Sequence, residues 1–69
     1  MIALGWCFDV EANARDCAAC ANDNYQSEVA SVRHDEDGWS VLGDLRGIPE
    51  LAFTSFCIGF AYARKDGVP

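Results

Sequence analysis

Sixty-nine residues, half of them hydrophobic (51%), with eleven acids against five bases and a net charge of −6, make one small ordered domain. That composition excludes a disordered tail, and the negative field excludes direct binding to nucleic acid or to an anionic membrane. Met1 leads an apolar run of only about ten residues with no basic start, so neither a signal peptide nor a membrane span is expected; the cytoplasm, where thiols stay reduced, is the expected compartment.

From Ile2 to Phe8 large and small side chains alternate. Ile2, Leu4, Trp6, Phe8 and Val10 are large; Ala3, Gly5, Cys7 and Asp9 are small. A period of two places the large set on one face of a strand, a bulky face that something must cover. Asp9 then stands where its carboxylate can cap a helix. The stretch from Val10 to Asn22 is Ala-rich, free of Pro and Gly, and carries Glu11 in its first turn, where the helix dipole favours a negative charge. Ala14, Cys17, Ala18 and Ala21 form a stripe of small residues. Such a stripe lets the helix approach the bulky face of the sheet closely, small against large. Asn22, Asp23 and Asn24 supply turn-forming side chains at its end.

Between Tyr25 and His34 the pattern weakens, because Val29 and Val32 differ in parity; one points the wrong way or a bulge intervenes. Asp35-Glu36-Asp37-Gly38 is a hairpin signal. A strand follows from Trp39 to about Leu45, then a connection at Arg46-Gly47-Ile48-Pro49. The segment Thr54 to Arg64 again alternates large (Phe56, Ile58, Phe60, Tyr62) and small, which favours a strand. The competing pattern is a helix begun by Pro49, with Phe53, Phe56, Cys57, Phe60 and Ala61 as its stripe. Lys65 to Pro69 reads as a frayed tail. The expected fold is α+β in two layers, one helix on an antiparallel sheet of three or four strands, in the order β-α-β-β-β. A helical last segment gives three strands covered by two helices.

No motif for catalysis stands out. Cys17-x-x-Cys20 lies inside the expected helix without the turn that shapes a zinc knuckle, and no helix N-terminus activates Cys17 as a redox thiol. Cys57 and His34 would complete a zinc set only at irregular spacing. Cys7 and Cys57 fall opposite one another if the first and last segments are neighbouring strands, which makes a disulfide geometrically feasible in an oxidising setting. His34, the one histidine, precedes an acidic turn and has no serine in a nucleophile-elbow context around it. No phosphate-binding loop or EF-hand spacing is present. The expected protein is therefore not an enzyme and uses no cofactor or metal.

The acids remain. Asp35, Glu36 and Asp37 concentrate charge at the hairpin tip; Glu28 lies on the incoming strand; Asp44 and Glu50 flank the next connection. Asp16 and Asp23, seven apart, share a helical face, with Asp9 near the same line. These eight, Asp35, Glu36, Asp37, Glu28, Asp44, Glu50, Asp16 and Asp23, are the candidate partner-binding residues. The hairpin acids lead, because a protruding turn can enter a groove. In size, acidity and absence of catalytic residues the chain is similar to the small acidic inhibitors encoded by phages, the anti-CRISPR proteins and other DNA mimics. The resemblance rests on that overall profile and transfers no residue role. It implies carboxylates occupying a basic channel built for nucleic acid and blocking it stoichiometrically. The expected partner is a basic nucleic-acid-binding protein or complex, met by a monomer or weak homodimer. Two other readings compete: a zinc-stabilised domain using the cysteines, and an oligomer subunit or interaction module with Trp6, Trp39, Phe53 or Tyr62 facing a partner.

Overall fold

The computed structural model describes residues 2–66, in the order β1 (Ile2–Phe8), α1 (Glu11–Tyr25), β2 (Ala30–Asp35), β3 (Gly38–Asp44) and α2 (Glu50–Arg64). The three strands form one antiparallel sheet with β3 in the middle, order β1-β3-β2. Both helices lie on the same face of that sheet and share one core with it. The fold is thus α+β, with a single layer of helices over a single layer of strands.

α1 forms as its composition dictates. Ala14, Cys17, Ala18 and Ala21 are its buried residues and join the core, with Tyr25 packed against it from the last turn. The helix continues to Tyr25 and closes on Gln26 in the left-handed conformation (φ 53°), whose N–H reaches the Asp23 carbonyl while Ser27 N–H reaches Asn22. Asn22 also brackets the start of β2: its Oδ1 accepts Ala30 N–H at 2.7 Å and its Nδ2 donates to the Ala30 carbonyl at 3.2 Å.

Thr54 to Arg64 is helix, not strand. The buried positions are Phe53, Cys57 and Ala61, a strict i, i+4, i+8 stripe. The alternating large residues lie to either side of it, Phe56, Ile58 and Phe60 half-buried and Tyr62 exposed. Pro49 stands at the N-cap with φ −60°, preset for the turn that Glu50 begins. Gly59 is exposed within this helix, and a Cβ there would meet no other atom within 4 Å. Gly59→Ala therefore raises unfolding free energy by about 0.5–1 kcal/mol, read as a higher urea midpoint at unchanged slope.

β1 departs from simple alternation at Gly5. Leu4 pairs with Leu42 and Trp6 with Val41, so Gly5 is an extra residue and the faces exchange across it. Ala3 and Gly5 point to the helices before the bulge, Trp6 and Phe8 after it. The expected bulky face is therefore split. Phe8 is fully buried, but Ile2 (65% exposed) and Leu4 (56%) stand on the open face of the sheet. The irregularity expected near Val29 lies instead in β1. Val29 precedes β2 and its carbonyl accepts Asp44 N–H at 2.7 Å.

The segment expected to fray is anchored at its first two residues; 67–69 fall outside the described residues. Lys65 turns the chain (φ 55°), and Asp66 is buried, 4% exposed. Its carboxylate accepts Asp9 N–H at 2.8 Å and Val10 N–H at 3.1 Å, and the Asn13 side-chain amide at 2.9 Å. Its carbonyl accepts the Trp6 indole N–H at 3.3 Å. The cap expected from Asp9 is thus supplied by Asp66. The N-cap position itself is Val10, which has no side-chain acceptor.

Candidate partner-binding surface

The hairpin is built as its sequence signals. Asp35 pairs with Gly38, and Glu36 and Asp37 form a two-residue turn. Gly38 has φ 140° and sits against the Phe8 carbonyl, where any Cβ would collide. That close approach places the acidic turn beside the β1–α1 junction, with Asp9 next to it. The hairpin register also sets His34 opposite Trp39. The two rings stack with centroids 4.0 Å apart and planes 13° from parallel, and the Arg15 guanidinium of α1 lies 5.9 Å from the Trp39 ring centre. His34 is exposed and Trp39 half-buried. A two-residue Asp37-Gly38 turn would set His34 opposite Val41; the turn is Glu36-Asp37 instead, and this register brings His34 to Trp39.

The structure divides the eight candidate acids into two groups at opposite ends of the sheet, with one between. Asp35, Glu36 and Asp37 are at the hairpin end. Glu28, Asp44 and Glu50 are at the other end, with Asp23 in the last turn of α1 near them. Asp16 is midway along α1, and Asp9 precedes the helix rather than extending its acidic line. Glu28 lies in the loop before β2, not on a strand.

Ion pairing sorts the acids further. The four arginines are each spoken for: Arg15 with Glu11 (2.8 Å), Arg33 with Asp35 (2.9 Å), Arg46 with Asp44 (3.2 Å) and Arg64 with Asp16 (3.4 Å). These exposed pairs add little stability, but they neutralise their carboxylates locally. Asp35 is the most engaged of them. Arg33 donates to both its oxygens and the Ser40 hydroxyl donates to one, and these bonds hold its carboxyl below the usual aspartate range. Asp9, Asp23, Glu28, Glu36, Asp37 and Glu50 are exposed acids with no ion pair among the described residues. At the hairpin end the uncompensated charge is therefore carried by Glu36 and Asp37, with Asp9 alongside.

The thiols do not assemble a metal site. Cys17 and Cys57 are buried in the core, Cys20 is exposed on α1, and His34 is stacked on Trp39 at the hairpin; among the described residues no three such ligands come together. Cys7 cannot face Cys57 across neighbouring strands, because Cys57 is on α2; it lies instead opposite Ser40 on the open sheet face. Among the described residues no pocket opens and no helix is long and apolar enough to cross a membrane. Comparison of the chain with protein-family models, curated proteins and solved structures returns no match.

Proposed function

We propose that this chain is a small acidic binding protein that inhibits a nucleic-acid-binding protein or complex by occupying its basic groove, in the manner of the anti-CRISPR and DNA-mimic inhibitors. It acts stoichiometrically, without catalysis, as a monomer or weak homodimer in the cytoplasm. The observation that carries this reading is the make-up of the hairpin end. Two planar rings, His34 and Trp39, stack directly beside a turn whose two carboxylates, Glu36 and Asp37, have no cation of their own. Stacked bases flanked by phosphates present the same two features. Grooves that grip single strands answer them with basic side chains and aromatic platforms. Asp35 holds the turn's geometry through Arg33 and Ser40 rather than offering free charge.

The test is competition. The immobilised chain captures nucleic-acid-binding proteins at about 0.05 M salt and releases them at about 0.5 M. Single-stranded oligonucleotide displaces the same proteins. Glu36→Lys with Asp37→Lys lowers capture at least tenfold while the circular dichroism spectrum and urea midpoint stay as in the parent; both side chains are exposed turn positions, so the fold is untouched. Capture that neither oligonucleotide nor the charge reversal weakens overturns the proposal. A second reading, an interaction module docking through the open sheet face, is favoured by exposed Ile2 and Leu4. It is selected if Ile2→Ser with Leu4→Ser abolishes capture and the charge reversal does not.

A further inference from the structure

α2 carries no charge between Glu50 and Arg64, and β1 carries none at all, in a chain whose net charge is −6. The exposed side of α1, by contrast, bears Glu11, Arg15, Asp16 and Asp23. A helix on the surface of a soluble domain normally turns charged residues to water, so the outer side of α2 stands out as unpartnered. β1 is an edge strand, and α2 lies mainly over it. The Thr54 hydroxyl, 3.5 Å from the Leu4 carbonyl, marks the flank of α2 that faces this edge. Next to Thr54 around the helix runs a strip of Leu51, Ser55, Ile58 and Tyr62, at the i, i+4, i+7, i+11 spacing of one helix face. Leu51 is 78% exposed and Tyr62 63%, Ser55 is exposed and Ile58 half-buried.

The charges at the two ends of α2 point to what meets this strip. Glu50 opens the helix and has no ion pair among the described residues. Lys65 closes it, and it is the one base of the five without an ion pair among the described residues, since each arginine has its acid. We propose that α2 pairs with α2 of a second copy of this chain, antiparallel about a two-fold axis, through Leu51, Ser55, Ile58 and Tyr62. Such isologous pairing sets the acidic start of each helix beside the basic end of the other and opposes their dipoles. Parallel pairing would set like ends together. The helix has 15 residues and is about 22 Å long, and the strip runs along most of it, so full overlap matches both pairs of ends at once. The strip is also a surface over which two copies, each of charge −6, meet with no carboxylate between them. The contact is one helix wide, so the dimer is weak and exchanging. No residue of the hairpin end takes part, and the dimer and the inhibitor reading therefore fail separately.

Sedimentation velocity on the full chain is expected to show a dimer at about 0.5 mM and a monomer at about 5 µM. Leu51→Glu with Tyr62→Glu places carboxylates on the strip at two exposed positions. It weakens dimerisation at least about tenfold, while the circular dichroism spectrum stays as in the parent. Glu50→Lys alone also weakens the dimer, and adding Lys65→Glu restores it, a rescue that a damaged fold could not give. Three outcomes overturn the proposal: a parent chain that is monomeric at the higher concentration, a dimer untouched by Leu51→Glu with Tyr62→Glu, or a Glu50→Lys, Lys65→Glu chain that dimerises no more tightly than Glu50→Lys.

Discussion

Asp66→Ala is expected to lower the free energy of unfolding by about 3 kcal/mol and Tm by roughly 10–20 °C. The reason is the number of donors that one carboxylate satisfies. Asp9 N–H, Val10 N–H and the Asn13 amide all lose their acceptor at a part-buried junction. A charge-assisted bond of this kind is worth about 1.5–3 kcal/mol, and an unsatisfied buried donor costs about 1–3 kcal/mol. The negative charge also lies at the start of α1, where the helix dipole favours it. A domain of this size has only some 3–10 kcal/mol of stability in total, so the variant is close to unfolding at 37 °C. Asp37→Asn serves as the control, an exposed acid of the turn, and leaves the urea midpoint within error. A midpoint for Asp66→Ala equal to that of the parent would remove Asp66 from its capping role.

Gly43→Ala produces the second large loss, about 1–3 kcal/mol, by overpacking. A Cβ on Gly43 would lie 2.7 Å from both Cε2 and Cζ of Phe53, and Phe53 is itself fully buried with nowhere to move. The sheet thus admits the Phe53 ring only where β3 has no side chain. Phe53→Leu in the Gly43→Ala background makes room for the new methyl. The double variant is then more stable than the sum of the two single losses by at least about 1 kcal/mol. Strict additivity in denaturant titrations would show that Phe53 and position 43 do not compete for the same space.

Local signals in the sequence were reliable where the structure they encode is local. The small stripe Ala14, Cys17, Ala18, Ala21 and the hairpin at Asp35 to Gly38 both form where their patterns indicate, because each is decided within a few residues, although the turn pair is Glu36-Asp37 and Gly38 opens β3. The last element was misread for an identifiable reason. Phe56, Ile58, Phe60 and Tyr62 alternate with small residues as a strand would, and aromatic content reinforces that pattern. The stripe that wins contains only one large residue, Phe53, with Cys57 and Ala61 completing it. Its burial comes from contact with β1, α1 and Gly43 of β3, which no window along α2 reveals. The bulge at Gly5 was equally hidden, since glycine fits either face of an alternating strand. Asp66 was missed because its partners lie 53 to 60 positions away, and Lys-Asp-Gly before a proline reads locally as a tail. The candidate surface was legible in part. The turn acids were found by charge, but that Arg33 and Ser40 already occupy Asp35 depends on side chains brought together across the hairpin.

The Asp66 contact bears on the order in which the chain can fold. β1 and α1 are synthesised first, yet the amides that join them find their acceptor only when residue 66 exists. Closure of this junction must bring together segments separated by nearly the whole chain. Such long-range closure makes folding slow for so small a domain and binds both helices into one cooperative step. A protease cut just after Arg64 would loosen the start of the first helix, although it falls at the far end of the sequence.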